Sequence, residues 1–291
     1  VEEAGLAEDP GVHLRMKYAI CNELFEGWSL GDLCRQVAEL GYQGIEIAPF
    51  TLAPLVTDIL PDQINEIRTQ AQDAGIEIVG LHWLLAKVEG FHVNSPDASV
   101  RRKTSDYLAR QVELCGKLGG KVMVFGSPGA RKVLPGVSTE QAMEWTAQTI
   151  RDFLPALADH DVSFCLEPLS TAETNFLNTA DEAQTLMQMI GDPRVLVHLD
   201  VKAMSAEPTP IPEIIQKHRD HTGHFHANDP NLRGPGMGKV DFLPIFRALQ
   251  ETHYKGWVSV EVFDYLPDPV TIARESIDYM KRIEASLGGS A

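Results

Sequence analysis

The sequence predicts a single (β/α)₈ barrel. Three observations carry this: short β-rich runs alternate eight times with longer helical patterns, the runs are almost continuously apolar, and no linker, repeat or low-complexity segment marks a domain boundary. The 291 residues match the roughly 250 residues such a barrel needs without calling for a second core. The barrel is assigned to residues 16–287 and residues 1–15 to an N-terminal tail. The opening VEEAGLAEDPGVHLR has neither a basic start nor an apolar stretch, so it does not read as an intact signal peptide. Met16 directly precedes the first strand pattern, and a tail, a processed remnant and an over-long start all fit what comes before it.

In chain order the strand-like runs are KYAIC (17–21), GIEIA (44–48), IEIVGLH (76–82), KVMVFG (121–126), VSFCLE (162–167), VLVHLD (195–200), GHFHAN (223–228) and WVSVEVF (257–263). Their apolar continuity is that of parallel strands buried on both faces. Helical patterns separate them, and an eighth begins near Pro269. Ser29 and Thr179 are placed to cap helix N-termini, and Gly41, Gly75 and the Gly119/Gly120 pair stand where a left-handed C-terminal residue is wanted. Pro155 predicts a kink or break in the helix that follows the fourth strand. Two long loops, residues 83–96 and 228–241, follow strand C-termini, the end on which barrels of this kind build their sites.

Acidic residues outnumber basic ones 41 to 25, a net charge of −16. A surface of that sign repels nucleic-acid backbones and anionic membranes. No apolar run approaches the roughly 18 residues of a membrane span. Cys21, Cys34, Cys115 and Cys165 lack CxxC spacing and read as buried free thiols in a reducing compartment, which points to a cytoplasmic protein.

Four strands end in a residue able to bind metal: Glu167, Asp200, His226 and Glu261. A barrel brings strand ends together, so these four converge although they lie far apart in the chain. A carboxylate at a strand end is ordinarily a cap or a salt-bridge partner. Several in one confined mouth repel each other unless a cation holds them. The mixed oxygen and nitrogen set suits one divalent metal, Mn²⁺ first, with Mg²⁺, Co²⁺ and Zn²⁺ also compatible. His82 and Trp83 end the third strand, where an imidazole and an aromatic wall can hold a sugar ring or simply pack in the core. Arg233 and Lys239, in the loop after His226, read equally as substrate contacts and as solvated loop charges. Glu46 points toward the same mouth. His198 and His224 lie one alternation deeper than Asp200 and His226 and can orient a ligand from below.

The segments ICNELF, GYQGIEI, LEPLS, HLDVKAM, GHFHAND and GKVDFLPIFRALQETHYKGWVSVEVF resemble the xylose-isomerase-like barrels known as sugar phosphate isomerases and epimerases, which include ketose 3-epimerases and inosose isomerases. The resemblance spans residues 16–285. It implies that Glu167, Asp200, His226 and Glu261 bind the metal, and that Glu167 and Glu261 act as a catalytic pair. One would remove a proton next to a carbonyl to give an enediolate and the other would deliver a proton to the opposite face. The substrate implied is a ketose or keto-sugar, and homodimers or homotetramers are common in such families. Glu173, six residues beyond Glu167, matches a substrate-contacting Glu of the ketose 3-epimerases, although a surface loop position is an equal reading.

The chain departs from those epimerases at Ala203, where they carry a substrate-binding His. Lys202 beside it is a group of another kind and joins the substrate-binding candidates. This opens an alternative on the same metal site, a lyase or hydratase acting on 3-keto-glycosides. A metal-dependent endonuclease is disfavoured by the acidic charge and by Gly126 and Ala203, where further ligands would be needed. A non-catalytic sugar-binding protein would not need the paired carboxylates.

Overall fold

The computed structural model describes residues 15–288. The tail expected over residues 1–15 therefore falls, but for its last residue, outside the described part. The strands are β1 (Lys17–Cys21), β2 (Gly44–Ile47), β3 (Glu77–Leu81), β4 (Val122–Phe125), β5 (Ser163–Leu166), β6 (Val195–Asp200), β7 (Thr222–Ala227) and β8 (Trp257–Val260). All pair in parallel in sequence order, and β8 closes on β1. The main helices are α1 (Leu30–Leu40), α2 (Pro61–Asp73), α3 (Ala98–Leu118), α4 (Thr139–Arg151), α5 (Leu154–His160), α6 (Ala180–Ile190), α7 (Val201–Met204), α8 (Ile211–His218), α9 (Phe242–Glu251) and α10 (Pro269–Gly288). The break expected at Pro155 separates α4 from α5, since proline brings no N–H to continue the ladder.

The helix ends obey local rules. Ser29 Oγ accepts from Asp32 N at 3.1 Å and Thr179 Oγ1 from Glu182 N at 3.2 Å, while Gly41, Gly75 and Gly119 all take positive φ. All four cysteines are buried and free. Among the described residues no helix is long and apolar enough to cross a membrane.

Strand alternation builds two apolar layers. Outward residues such as Ile20, Ile45, Met123, Phe164, Val197, Phe225 and Val258 pack against the helices. Inward residues Ala19, Val79, Val122, Val124, Cys165 and Trp257, with Leu196 against them, fill the lower barrel. Following the same inward parity upward leads from Cys165 to Glu167, from Leu196 through His198 to Asp200, and from Trp257 through Ser259 to Glu261. The barrel thus has an apolar floor and a polar mouth.

Two register shifts tune this arrangement. Ile45 pairs with Ile78 but Glu46 with Gly80, leaving Val79 as an extra residue. Val197 pairs with Thr222 but His198 with His224, leaving Gly223 extra. Each bulge sits beside a polar residue of the barrel interior, where re-aiming a side chain matters most. Gly80 also lets β3 approach β4, because a Cβ there would lie 1.8 Å from the Val122 carbonyl oxygen. Gly80→Ala is therefore expected to destabilise the protein by about 3 kcal/mol or more, the upper range of overpacking, read as a lowered urea midpoint.

Candidate active site and metal centre

Three of the four expected ligands come together with His198. One donor atom each from Glu167, His198, Asp200 and His226 lies within 4.8 Å of every other, and all four residues are buried. Glu261 joins through His226, its Oε2 lying 3.2 Å from Nδ1. Glu261 also falls in a second buried group with Cys21, Glu23 and His82. The His226–Glu261 contact joins the two groups.

The donors are held by neighbours that fix their direction. Glu46 lies beneath the histidines, accepting from His224 Nε2 at 2.7 Å and from His226 Nε2 at 3.2 Å. A carboxylate only accepts, so both Nε2 atoms carry protons. Asp200 accepts at one oxygen from the Ala203 amide (2.7 Å) and at the other from Asn228 Nδ2 (2.6 Å). Glu261 accepts at Oε1 from the Trp83 indole at 2.7 Å. Trp83 reaches it from a left-handed backbone, φ 52°, a strained choice for a bulky residue at a strand end. Glu167 has room for its carboxylate because residue 126 is glycine; a Cβ there would sit 2.1 Å from Oε2.

Burial and crowding set the charges. Burial first, then the neighbouring Glu261 and Asp200, push the Glu167 carboxyl well above its ordinary range. Asp200 is pushed up to about 6, again by burial and then by Glu261. Burial would raise Glu261 as well, but His226 outweighs it, with help from His82 and Trp83, and holds this carboxyl below the usual value. His226 is driven well upward: burial opposes its charge, and Glu46 and Glu261 overcome that. Both ring nitrogens of His198 are buried without a partner, and burial followed by the adjacent His226 keeps this ring neutral.

The remaining candidates separate into mouth and rim. Lys202 Nζ lies 2.6 Å from Glu173 Oε1 and 4.5 Å above the Phe263 ring, which stacks on Trp83 at 6.0 Å. Glu173 is anchored in turn by Ser170 Oγ at 2.8 Å. His82 is fully buried and spends Nε2 on Glu23 at 2.6 Å. Arg233 is partly exposed and turned to Asp264 at 2.9 Å. Leu84 and Leu85 are buried, so the apolar part of the loop after β3 is spent inside the fold.

Sequence reasoning missed Arg131, Asn228 and Glu23. Arg131 is fully buried and donates to the carbonyls of Glu167, Phe125 and Leu177. Burial lowers its pKa to about 10, against the pull of Glu167 and Glu173. It braces the backbone that carries Glu167. Its neighbour Lys132 looks the same in sequence, and only the fold tells them apart. Glu23 did carry a signal, since it continues the inward parity of Ala19 and Cys21.

Comparison with known proteins follows this geometry. Residues 34–283 match the family model described as xylose isomerase-like TIM barrel, and the chain belongs to that family. Among its relatives is a D-psicose 3-epimerase of Ruminiclostridium cellulolyticum, 29% identical over 233 residues, covering 78% of this chain and 76% of that protein. Another is a 3-dehydro-D-guloside 4-epimerase of Escherichia coli, 22% identical over 277 residues, with 91% and 99% covered. A D-psicose 3-epimerase crystallised in the presence of D-fructose superposes with a TM-score of 0.82 at 23% identity, covering 94% of this chain and all of that one.

Replacing Arg131 by Met leaves three buried carbonyls short of this donor and Glu167 without a nearby cation. A stability loss of roughly 3 kcal/mol is expected in chemical denaturation. Unchanged stability would show that the guanidinium does not brace this loop.

Proposed function

We propose that this chain is a divalent-metal-dependent sugar epimerase that moves a proton on the carbon next to the carbonyl of a keto-sugar. The observation that carries the reading is a pair of buried carboxylates, Glu167 just past β5 and Glu261 just past β8, close enough that Glu261 raises the Glu167 carboxyl, with Glu261 also 3.2 Å from His226. The relatives, epimerases by name, agree with it.

The residues fit a metal. Glu167, Asp200, His226 and Glu261 offer three carboxylates and an imidazole, and the upward push on Glu167 and Asp200 is the penalty a cation would remove. Because His226 Nε2 is committed to Glu46, Nδ1 on the Glu261 side is the nitrogen left to bind. Oxygen-rich donors of this kind favour Mn²⁺. A bound divalent ion supplies Lewis-acid polarisation of the substrate carbonyl and its neighbouring hydroxyl.

The protein supplies the proton transfer. One carboxylate of the pair takes the proton from one face of the carbon, and the other returns a proton to the opposite face. The roles exchange with the stereoisomer bound, so the pair is assigned together. Trp83 fixes Oε1 of Glu261, while Gly126 and the Arg131-braced backbone place Glu167. Lys202, Glu173 and the Trp83–Phe263 stack form the wall against which the substrate hydroxyls lie.

Lys202 also favours a second reading. Its ammonium occupies the mouth beside Ala203, and such a group can donate a proton to a departing glycosidic oxygen, as a lyase acting on a 3-keto-glycoside requires. Incubating the Mn²⁺-loaded protein with free ketoses and with 3-keto-glucosides separates the two. Epimer formation is expected, and release of the aglycone with no epimer would reject the epimerase.

Glu167→Gln and Glu261→Gln are each expected to lower turnover by at least about 100-fold, measured as conversion of one epimer into the other. Turnover unchanged in either variant would remove the paired-carboxylate mechanism.

Metal binding carries its own pH signature. In the metal-free protein Asp200 has a folded-state pKa of about 6 against an ordinary 3.8, so the folded state holds the extra proton. The associated stability is full below the ordinary value and is lost as pH rises through about 6. A cation displaces that proton, and its affinity weakens as pH falls. Mn²⁺ is therefore expected to raise Tm more near pH 7.5 than near pH 5, by roughly several degrees. An equal or reversed effect would contradict the assignment.

A further inference from the structure

Beside the donor cluster, on the same mouth of the barrel, lies a cavity of about 300 Å³ built from the segments after β1, β2, β3 and β8. None of the steps described above uses it. Its walls include Trp28, Phe50, Trp83 and Tyr265, with Glu26 and Lys87 at its edge. Trp83 is the shared wall, since its indole donates to Glu261 while the residue also lines the cavity. Glu23 is shared too: it lines the cavity and belongs to the buried group containing Glu261. Glu23 Oε1 is buried with no hydrogen-bond partner.

The lining has the chemistry of a sugar site. Trp28 is 40% exposed although it is a large aromatic residue, and it is propped edge-on by Phe25 at 5.6 Å. Phe50 leans on Trp83 at 5.8 Å, and Lys87 holds its ammonium 4.1 Å from the Phe50 ring. Lys87, like Trp83, takes a left-handed backbone, φ 58°, a costly conformation for a residue other than glycine. Aromatic faces meet the C–H surfaces of a pyranose, and charged groups around them meet its hydroxyls. An aliphatic tail would have no use for Glu23, Glu26 and Lys87. The volume is at the low end of the range for ligand pockets, enough for one ring.

We propose that this cavity is a subsite for a second sugar ring, so that the substrate is a two-ring keto-glycoside whose reacting ring lies at the donor cluster and whose partner ring stacks on Trp28. This rests on the proton-transfer reading for the reacting ring, but the subsite can be tested apart from it. The first arm is kinetic: deuterium incorporation from solvent into 3-keto-cellobiose and 3-keto-glucose by the Mn²⁺-loaded protein. The wild type is expected to prefer the two-ring sugar at least tenfold in kcat/KM. Trp28→Ala is expected to reduce that preference at least tenfold, mainly through KM, and Trp28→Phe to restore most of it. The second arm is calorimetric titration with cellobiose and with glucose, which needs no turnover. Cellobiose is expected to bind at least tenfold more tightly, and Trp28→Ala to abolish the difference. If neither keto-sugar exchanges deuterium while cellobiose still binds preferentially through Trp28, the epimerase reading fails and the subsite stands. Equal binding of the one- and two-ring sugars, or a preference that Trp28→Ala leaves intact, overturns the subsite, as would binding of phenyl β-glucoside but not cellobiose.

Discussion

The structure depends on burying Glu46, Glu167, Asp200 and Glu261 in one end of a barrel. Each carboxylate taken from water costs several kcal/mol unless something compensates it. The compensation is uneven, and Glu261 is matched by His226 even at the mouth. Glu46, deepest among the histidines, is matched by His224 and His226 and held well below its ordinary pKa despite its burial. Nearer the opening, Glu167 and Asp200 receive less and are pushed toward protonation. The charge left uncompensated is thus concentrated where a cation and a substrate would enter.

This explains why the neighbours are polar but uncharged, or are pinned cations. Asn228 and the Ala203 amide satisfy Asp200 without adding charge. Arg131 spends its donors on carbonyls rather than on the Glu167 carboxylate, so the loop gains a brace and the carboxylate keeps its freedom. A direct ion pair there would have silenced the very group that the proposed chemistry needs.

Much of the barrel was legible in the sequence because parallel strands buried on both faces leave a strong apolar signature. The same regularity made the mouth legible: the last inward residue of β6 and β7, and of the runs continuing β5 and β8, is Asp200, His226, Glu167 or Glu261. Illegible were the pairings that only closure of the barrel creates. Trp83 meets Glu261 across 178 positions, and Glu46 meets His226 across 180. The pairing of Arg233 with Asp264, 31 positions on and on another loop, is of the same kind. The extra residues Val79 and Gly223 left no trace in a pattern that reads as an uninterrupted apolar run.

The apolar floor has a consequence of its own. Ala19, Val79, Val122, Val124, Cys165 and Trp257 close the barrel from below, and Lys17 covers Trp257 from the outside at 4.3 Å. The chamber is therefore a blind well with one door. What enters by the mouth must leave by the same route, because the side chains below it are packed and apolar. Exchange with solvent is thereby confined to the side on which the carboxylates stand, and deuterium can reach the substrate only from there.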